Sequence, residues 1–492
     1  MKPAMSANPA GSIHREPGES TRAPACKPEF PAEQIPEDAS AAKLIGLYPQ
    51  VQDGLWLQRV KVLGGIVLGP QWRALAEIVR RFTPNTPLHL TTRQDIEIHD
   101  LKASQVPLVQ RQLAAVDLTG LGACGDTIRN VTVCPCSGIL RGSPDLVPLA
   151  WAIRRMLEAE EVCWSLPRKF KISLSACSRA CGQPYINDLG LVAVRRDGVW
   201  GFRVIVAGSL GPRPATGIEW MDWLAGGDVL PMVLGAVRVF AQHADRANRA
   251  KARLRHVRER LGDKAFITLL NDAFRQAKDQ RPWPPTTVTE PAEGYDASVT
   301  LNFEAGNMTA DAAEALGWLL GRPGIQVRIC NQHRIAVFGS DRQWLTAQLA
   351  CYPSLLEASA LQPAVVACPG NRSCRRALTD TANLARAIRE QLAGVIPAGA
   401  TVCISGCPNG CAQSSVADFG LIGVLAADGG VQREAYNFLA GGGMGRDDRL
   451  AALIARRVSP QDVIGRIAAH CTAITCGAAR PLEPVEAGTP SA

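Results

Sequence analysis

Ser405–Val424, SGCPNGCAQSSVADFGLIGV, occurs a second time in altered form at Ser175–Val194, SACSRACGQPYINDLGLVAV. Cys407 and Cys411 align with Cys177 and Cys181, and in both copies a polar loop passes into an apolar run. The neighbouring segments repeat in the same order. VVACPGNRSC (365–374) matches VTVCPCSGIL (131–140), and YNFLAGGGMG (436–445) matches FRVIVAGSLG (202–211). IQVRICNQHRIAVFG (325–339) matches LHLTTRQDIEIHDL (88–101), and the segment starting VTLNFEAGNM at 299 matches the opening of the first half. Such ordered self-similarity marks an internal duplication. It predicts two like halves related by an approximate two-fold axis, with a cofactor between them.

Cys368, Cys374, Cys407 and Cys411 give C-x5-C and C-x3-C, two close pairs separated by a long gap. Four thiolates in two pairs are what a cubane iron–sulfur cluster requires. Pro369, Gly370, Pro408 and Gly410 mark both pairs as loops that allow tight turns around a bulky group. Buried structural cysteines are the plain alternative. A zinc site is another, although its spacings are usually shorter. The first half keeps Cys134, Cys177 and Cys181 and adds Cys136, but Leu140 stands where Cys374 would be. These residues are either a vestige of the duplication or part of a second cluster.

A chain of 492 residues, 47% hydrophobic and 20% charged, can bury several cores. No apolar run reaches the roughly 18 residues of a membrane span, and MKPAMSANPAGSIHREPGES lacks a signal-peptide core. We expect a cytoplasmic protein without membrane association, whose sixteen cysteines are not a disulfide framework. The net charge of +8 suits anionic cofactors, anionic substrates or an acidic redox partner rather than nucleic acid.

Taken in order, residues 1–44 read as a disordered or draped arm, with structure starting near Gly46. A strand over 55–68, a helix over 71–82 and a strand over 88–101 form the first α+β unit, 45–117. The next unit, 118–280, holds strands at 128–138, 170–194 and 201–211 with a helix at 145–160. Two helices follow over 232–275. The basic run Arg246, Arg249, Lys251, Arg253, Arg255, Arg258 and Arg260 reads as a solvated helix face or as docking for an acidic donor. Residues 281–294 are a proline-rich linker. The pattern then repeats over 295–358 and 359–478, leaving a tail at 479–492.

SGCPNGCAQSSVADFGL (405–421), with the upstream C-x5-C, resembles the signature of the nitrite and sulfite reductase family, and the resemblance covers most of residues 45–478. It implies an α+β fold, internally duplicated, with ferredoxin-like lobes and two sirohaem-domain-like mixed α/β lobes. It also implies sirohaem beside one four-iron four-sulfur cluster held by Cys368, Cys374, Cys407 and Cys411, with Cys411 bridging to the sirohaem iron. No flavin or nicotinamide module is present, so electrons would come from a separate donor such as ferredoxin. The chain is expected to act as a monomer. A precorrin-3B synthase-like enzyme is the rival within the superfamily, and a non-catalytic cluster-binding module is the rival outside it. The TTRQ and LPRKFK motifs argue against the first.

Sirohaem carries eight carboxylates, and its substrates are oxyanions whose reduction consumes protons. The site therefore needs lysines and arginines to neutralise charge and to donate protons. The resemblance assigns the substrate pocket to Arg93, Arg129, Lys169 and Lys171. Lys169 and Lys171 alternate to one face of a strand. Arg59, Lys61, Gln94 and Asn130 are weaker cofactor-contacting candidates. Gly441–Gly443 could bring backbone amides to carboxylates, and His99 reads as a strand cap. Lys-x-Lys at 169–171 leads us to expect sulfite as substrate ahead of nitrite.

Overall fold

The computed structural model describes residues 27–286, 288–291, 293–428 and 431–475. Two five-stranded sheets repeat one plan. In the first, Ile128–Val133, Phe170–Ser175 and Leu189–Arg196 run parallel, then Val199–Val206 and Ile218–Ala225 continue antiparallel. In the second, Val365–Ala367, Val402–Ser405, Phe419–Asp428, Val431–Ala440 and Ala452–Val458 follow in the same order and senses. The duplication read from sequence is therefore one of topology as well. Each sheet buries its own apolar core beneath helices, among them Val229–His243 on the first and Thr381–Leu392 on the second. The last strand of each sheet, Ile218–Ala225 and Ala452–Val458, adds to those expected from the sequence.

Both lobes use one local device behind the central strands. Asp188 accepts the Lys171 amide at 2.9 Å, and Asp418 accepts the Thr401 amide at 2.9 Å. Ser175 Oγ accepts from Gly182 N at 3.1 Å, as Ser405 Oγ does from Ala412 N. Buried side chains thus satisfy backbone amides that the strand-to-loop transition would otherwise leave unpaired.

The smaller α+β units are not independent. One sheet orders Leu47–Pro49, Leu55–Val60, Ile96–Lys102, Leu88–Leu90 and Asn307–Met308, so its edge strand comes from the second half. The other contains Ala297–Asn302, Arg334–Gly339 and Gln326–Ile329. Helices Gly69–Phe82 and Ala310–Leu319 bury Trp72, Leu75, Ala313 and Leu316 in one core that both units share.

Several expectations are corrected. Residues 88–101 are two strands around a turn, because Gln94 takes φ 64° and Thr91 Oγ1 accepts from the amides of Arg93 and Asp95. The arm is ordered from residue 27: Phe30, Ala32 and Ile35 pack on the core and Ala39–Leu44 is helical. Residues 1–26 and the expected tail at 479–492 lie outside the described residues. The basic run is not one helix, since only Leu254–Leu261 is α-helical. It is not a free cationic face either. Arg249 pairs with Asp126, Arg253 with Asp188, Arg255 with Glu259 and Arg258 with Asp263. Among the described residues no helix is long and apolar enough to cross a membrane.

Candidate functional site

Cys368 follows strand Val365–Ala367, and Cys407 and Cys411 sit on the turn that leaves Val402–Ser405. Close packing shapes this turn: a Cβ on Gly406 would lie 3.0 Å from Ala377 Cβ and 3.3 Å from Gly370 Cα. Gly410 takes φ 66°, which favours glycine. Burial raises the Cys368 thiol to about 12, an effect strengthened by Cys411 and Cys374 nearby and opposed by amides of Gly406 and Gly370. The Gly406 amide donates to Cys368 Sγ at 3.2 Å. Cys374 receives amide hydrogen bonds from Arg376 and Ala377, and Cys407 receives one from Asn409. Amides aimed at sulfur stabilise the thiolate form that binds iron. Among the described residues no three His, Cys, Asp or Glu side chains converge as ligands of a single metal ion. A cubane cluster instead takes one thiolate per iron, and these four loop cysteines fit it.

Cys411 opens onto a cleft lined also by Arg93, Lys169, Lys171, Arg253, Thr92, Asn409 and Gln413. Four basic side chains face it, and the buried carboxylate of Asp188 pairs with one of them, Arg253. Asp188 is fully buried and takes Arg253 bidentately, Nε at 3.2 Å and Nη2 at 2.8 Å. Burial, with Arg129, Arg253 and Arg168 nearby, lowers Lys169 to about 7. Burial beside Arg93 and Lys169 holds Lys171 well below the usual lysine range. Arg93 is lowered to about 10 by burial, and its Nε has no partner, like the side-chain oxygen of the cleft residue Asn331. Clustered basic side chains and one orphaned donor, Arg93 Nε, in a cleft beside Cys411 suit a polycarboxylate macrocycle and a small oxyanion. The residues present therefore fit sirohaem.

The structure brings Arg93, Lys169, Lys171 and Cys411 together and sends the other candidates elsewhere. Arg129 donates to the carbonyls of Gly125 and Ala123, close enough to depress Lys169. Arg59 pairs with Glu97. Lys61, lowered by burial to about 8, faces Glu158 at 3.6 Å in a separate cavity. Gln94 ties the first sheet to the second half through Val133 and Ile329. Asn130 spans the carbonyls of Val62 and Arg93. His99 lies within strand Ile96–Lys102 against Glu97, not at a strand end. The amides of Gly441, Gly442 and Gly443 bond to Asp418, Ala417 and Arg449, so they do not form a carboxylate cradle. Glycine is needed there because a Cβ on Gly442 would lie 2.3 Å from the Val416 carbonyl.

Sequence reasoning missed Arg253, Asp188, Thr92, Asn187, Asn331, Asn409, Gln183 and Gln413. Arg253 was hidden among like charges. The rest carried one usable signal: Asp188 and Gln183 align with Asp418 and Gln413 in the repeat. In the first lobe Cys134 Sγ lies 3.7 Å from Cys136 Sγ and accepts the Ala176 amide at 3.0 Å. That contact is the counterpart of Gly406 on Cys368. Leu140 fills the fourth position with a side chain that cannot ligate.

Residues 124–278 and 362–475 match the model of the nitrite and sulphite reductase 4Fe-4S domain, and residues 48–116 match the nitrite/sulfite reductase ferredoxin-like half domain. The assimilatory ferredoxin-dependent nitrite reductase of Haloferax mediterranei is 30% identical, over 89% of this chain and 83% of that protein. The chloroplastic ferredoxin–nitrite reductase of Zea mays is 27% identical over 87% and 80%. The Synechococcus elongatus ferredoxin–nitrite reductase is 27% identical over 86% of each. In fold, the chain superposes on the Mycobacterium tuberculosis NirA protein with a TM-score of 0.74 and 23% identity, covering 87% and 85%. These relatives overturn the expectation of sulfite ahead of nitrite.

Proposed function

Because the chain belongs to the nitrite and sulphite reductase family, we propose that it is a ferredoxin-dependent nitrite reductase. The reaction takes nitrite, six electrons and eight protons to ammonium and two waters. Family membership brings sirohaem and one four-iron four-sulfur cluster. The observation that carries the reading is the cationic cleft opening on Cys411, in a chain whose relatives are nitrite reductases. Reduced ferredoxin is the donor, and the enzyme works as a cytoplasmic monomer.

Cys368, Cys374, Cys407 and Cys411 would hold the cluster, and the cleft the sirohaem. When bound, these groups supply electrons and an iron to which nitrite attaches. The chain's own residues supply charge and protons. Arg93 is fixed by Asn187 Oδ1 at 2.6 Å and the Asn130 carbonyl at 2.6 Å, so it meets an oxyanion without reorganising. Lys169, near 7, holds and releases a proton close to neutrality, as a general acid must. An entering anion favours the charged form of Lys171, drawing a proton into the cleft with the substrate. Arg253, paired with Asp188, still adds positive potential at both lysines.

The test is steady-state kcat/KM of the purified, cofactor-loaded enzyme for nitrite and sulfite with reduced ferredoxin, counting ammonium and sulfide. We expect ammonium to be the favoured product. Sulfide formed with higher kcat/KM than ammonium overturns the reading.

A further inference from the structure

At the seam between the two lobes lies a pair of glutamines that no part of the reaction has yet used. Gln183 and Gln413 each stand two residues after the second cysteine of their copy of the repeat, Cys181 and Cys411. Both are left-handed, at φ 60° and 67°, a conformation that costs a side-chain-bearing residue free energy. Both are about 95% buried, at 4% and 5% exposure, and both line the cleft. Their amides pair reciprocally: Gln183 Nε2 donates to Gln413 Oε1 at 2.8 Å, and Gln413 Nε2 donates to Gln183 Oε1 at 2.8 Å. Gln183 Nε2 also reaches the Met444 carbonyl at 2.9 Å. A strained backbone kept at equivalent positions of both halves is compensated by this contact across the two-fold.

The pair closes a ring of hydrogen bonds. The Gln183 carbonyl accepts Asn187 Nδ2 at 2.7 Å, and Asn187 Oδ1 accepts Arg93 Nη1 at 2.6 Å. Beside Arg93, Thr92 Oγ1 donates to the Cys411 carbonyl at 3.0 Å. Cys411 leads back through two peptide bonds to Gln413. The arginine that faces the oxyanion and the cysteine that faces the cluster are therefore held on one closed circuit, with the amide pair as the side-chain crossing between the two cysteine loops. We infer that Gln183 and Gln413 are positioning residues for nitrite reduction, fixing Arg93 in register with the Cys411 loop.

The inference rests on the nitrite reductase reading, and its test separates the two. Gln183→Met, Gln413→Met and the double variant keep volume and remove the amides. Iron content and the sirohaem absorption spectrum report assembly. KM and kcat for nitrite with a chemical reductant report positioning, and cyanide affinity, read from the sirohaem band, reports the site independently of nitrite turnover. One lost neutral hydrogen bond is worth about 0.5–1.5 kcal/mol, or roughly 2- to 12-fold. We expect each single variant to keep full iron, to raise KM for nitrite within that range with a smaller change in kcat, and to weaken cyanide binding in parallel. The double variant should be no worse than either single, since the amides act as one unit. Gln413→Glu retains the acceptor for Gln183 Nε2 and should fall between wild type and Gln413→Met. Unchanged KM and cyanide affinity, additive losses, or losses that follow missing iron each overturn the proposal. A wild-type enzyme that binds cyanide but does not reduce nitrite overturns the nitrite reading instead, and the cyanide series still decides the glutamine pair.

Discussion

Lys169 stands just before strand Phe170–Ser175 and Lys171 within it, and each lies against different neighbours. Lys169 is depressed to about 7 by burial and the arginines around it, whereas Lys171 also carries the repulsion of Lys169 itself. A lysine that must be protonated to donate loses activity as pH rises through its pKa, so the sign is fixed. Anions bound in the cleft move the midpoint upward, toward the ordinary value of 10.5. We predict that kcat/KM for nitrite falls on the alkaline side with an apparent pKa between about 7 and 10.5. Lys169→Arg should lose that limb and most of its rate, because arginine stays charged and donates no proton over this range. A pH profile of wild type and variant checks it, and an unchanged alkaline limb in the variant removes Lys169 from the proton path. The sequence showed that this stretch was cationic. It did not show which charges survive burial, since that depends on Arg93 and Arg253 arriving from distant segments.

At the scale of elements, the turn Thr91–Asp95 and the cysteine loops carry the site. Alternation over 88–101 suggested one strand, because the turn residues are polar and occur where alternation already allows polar residues. What breaks the strand is Gln94 at φ 64°, anchored by three hydrogen bonds to Val133 N, Val133 O and Ile329 O. Gln94→Ala should leave those buried backbone groups unpaired and cost about 2–4 kcal/mol, read as a lower denaturant midpoint, with nitrite KM raised as Arg93 shifts. A midpoint within about 0.5 kcal/mol of wild type would mean the turn is held by other contacts. The cysteine loops were legible because ligand spacing is a one-dimensional signal. For them we predict that Ser at Cys368, Cys374, Cys407 or Cys411 strips cluster iron. Ser at Cys134, Cys136, Cys177 or Cys181 should leave the four-iron cluster and the sirohaem iron intact. Iron and acid-labile sulfide analysis decides it, and a first-lobe variant that loses iron would show ligation there.

For the whole molecule, repeated motifs disclosed two matching lobes, while the way the halves interlock left no mark in the sequence. Strand Asn307–Met308 is too short to stand out from its surroundings, yet it pairs with Leu88 and His89 across the duplication. Beside it, Trp72, Leu75, Leu101, Met308, Leu316 and Leu345 share one core. Arg80 bridges to Asp311 and Glu314 over the same contact, although exposed pairs of this kind add little. A buried leucine contributes about 1.5–3 kcal/mol, so separating the halves would expose far more than the chain's net stability can offset. Cutting the backbone within the linker 281–294, whose described residues are exposed or half-buried, should therefore leave one particle. We predict that enzyme cleaved there by an inserted protease site elutes as uncleaved protein does on size exclusion and keeps its sirohaem spectrum, while denaturing gels show two fragments. Residues 27–286 expressed alone should be insoluble or unfolded, lacking the edge strand and half of the shared core. If that fragment folds cooperatively by itself, or the cleaved halves separate without denaturant, the two halves are independent domains and the cleft between them is held only by the linker and the cofactors.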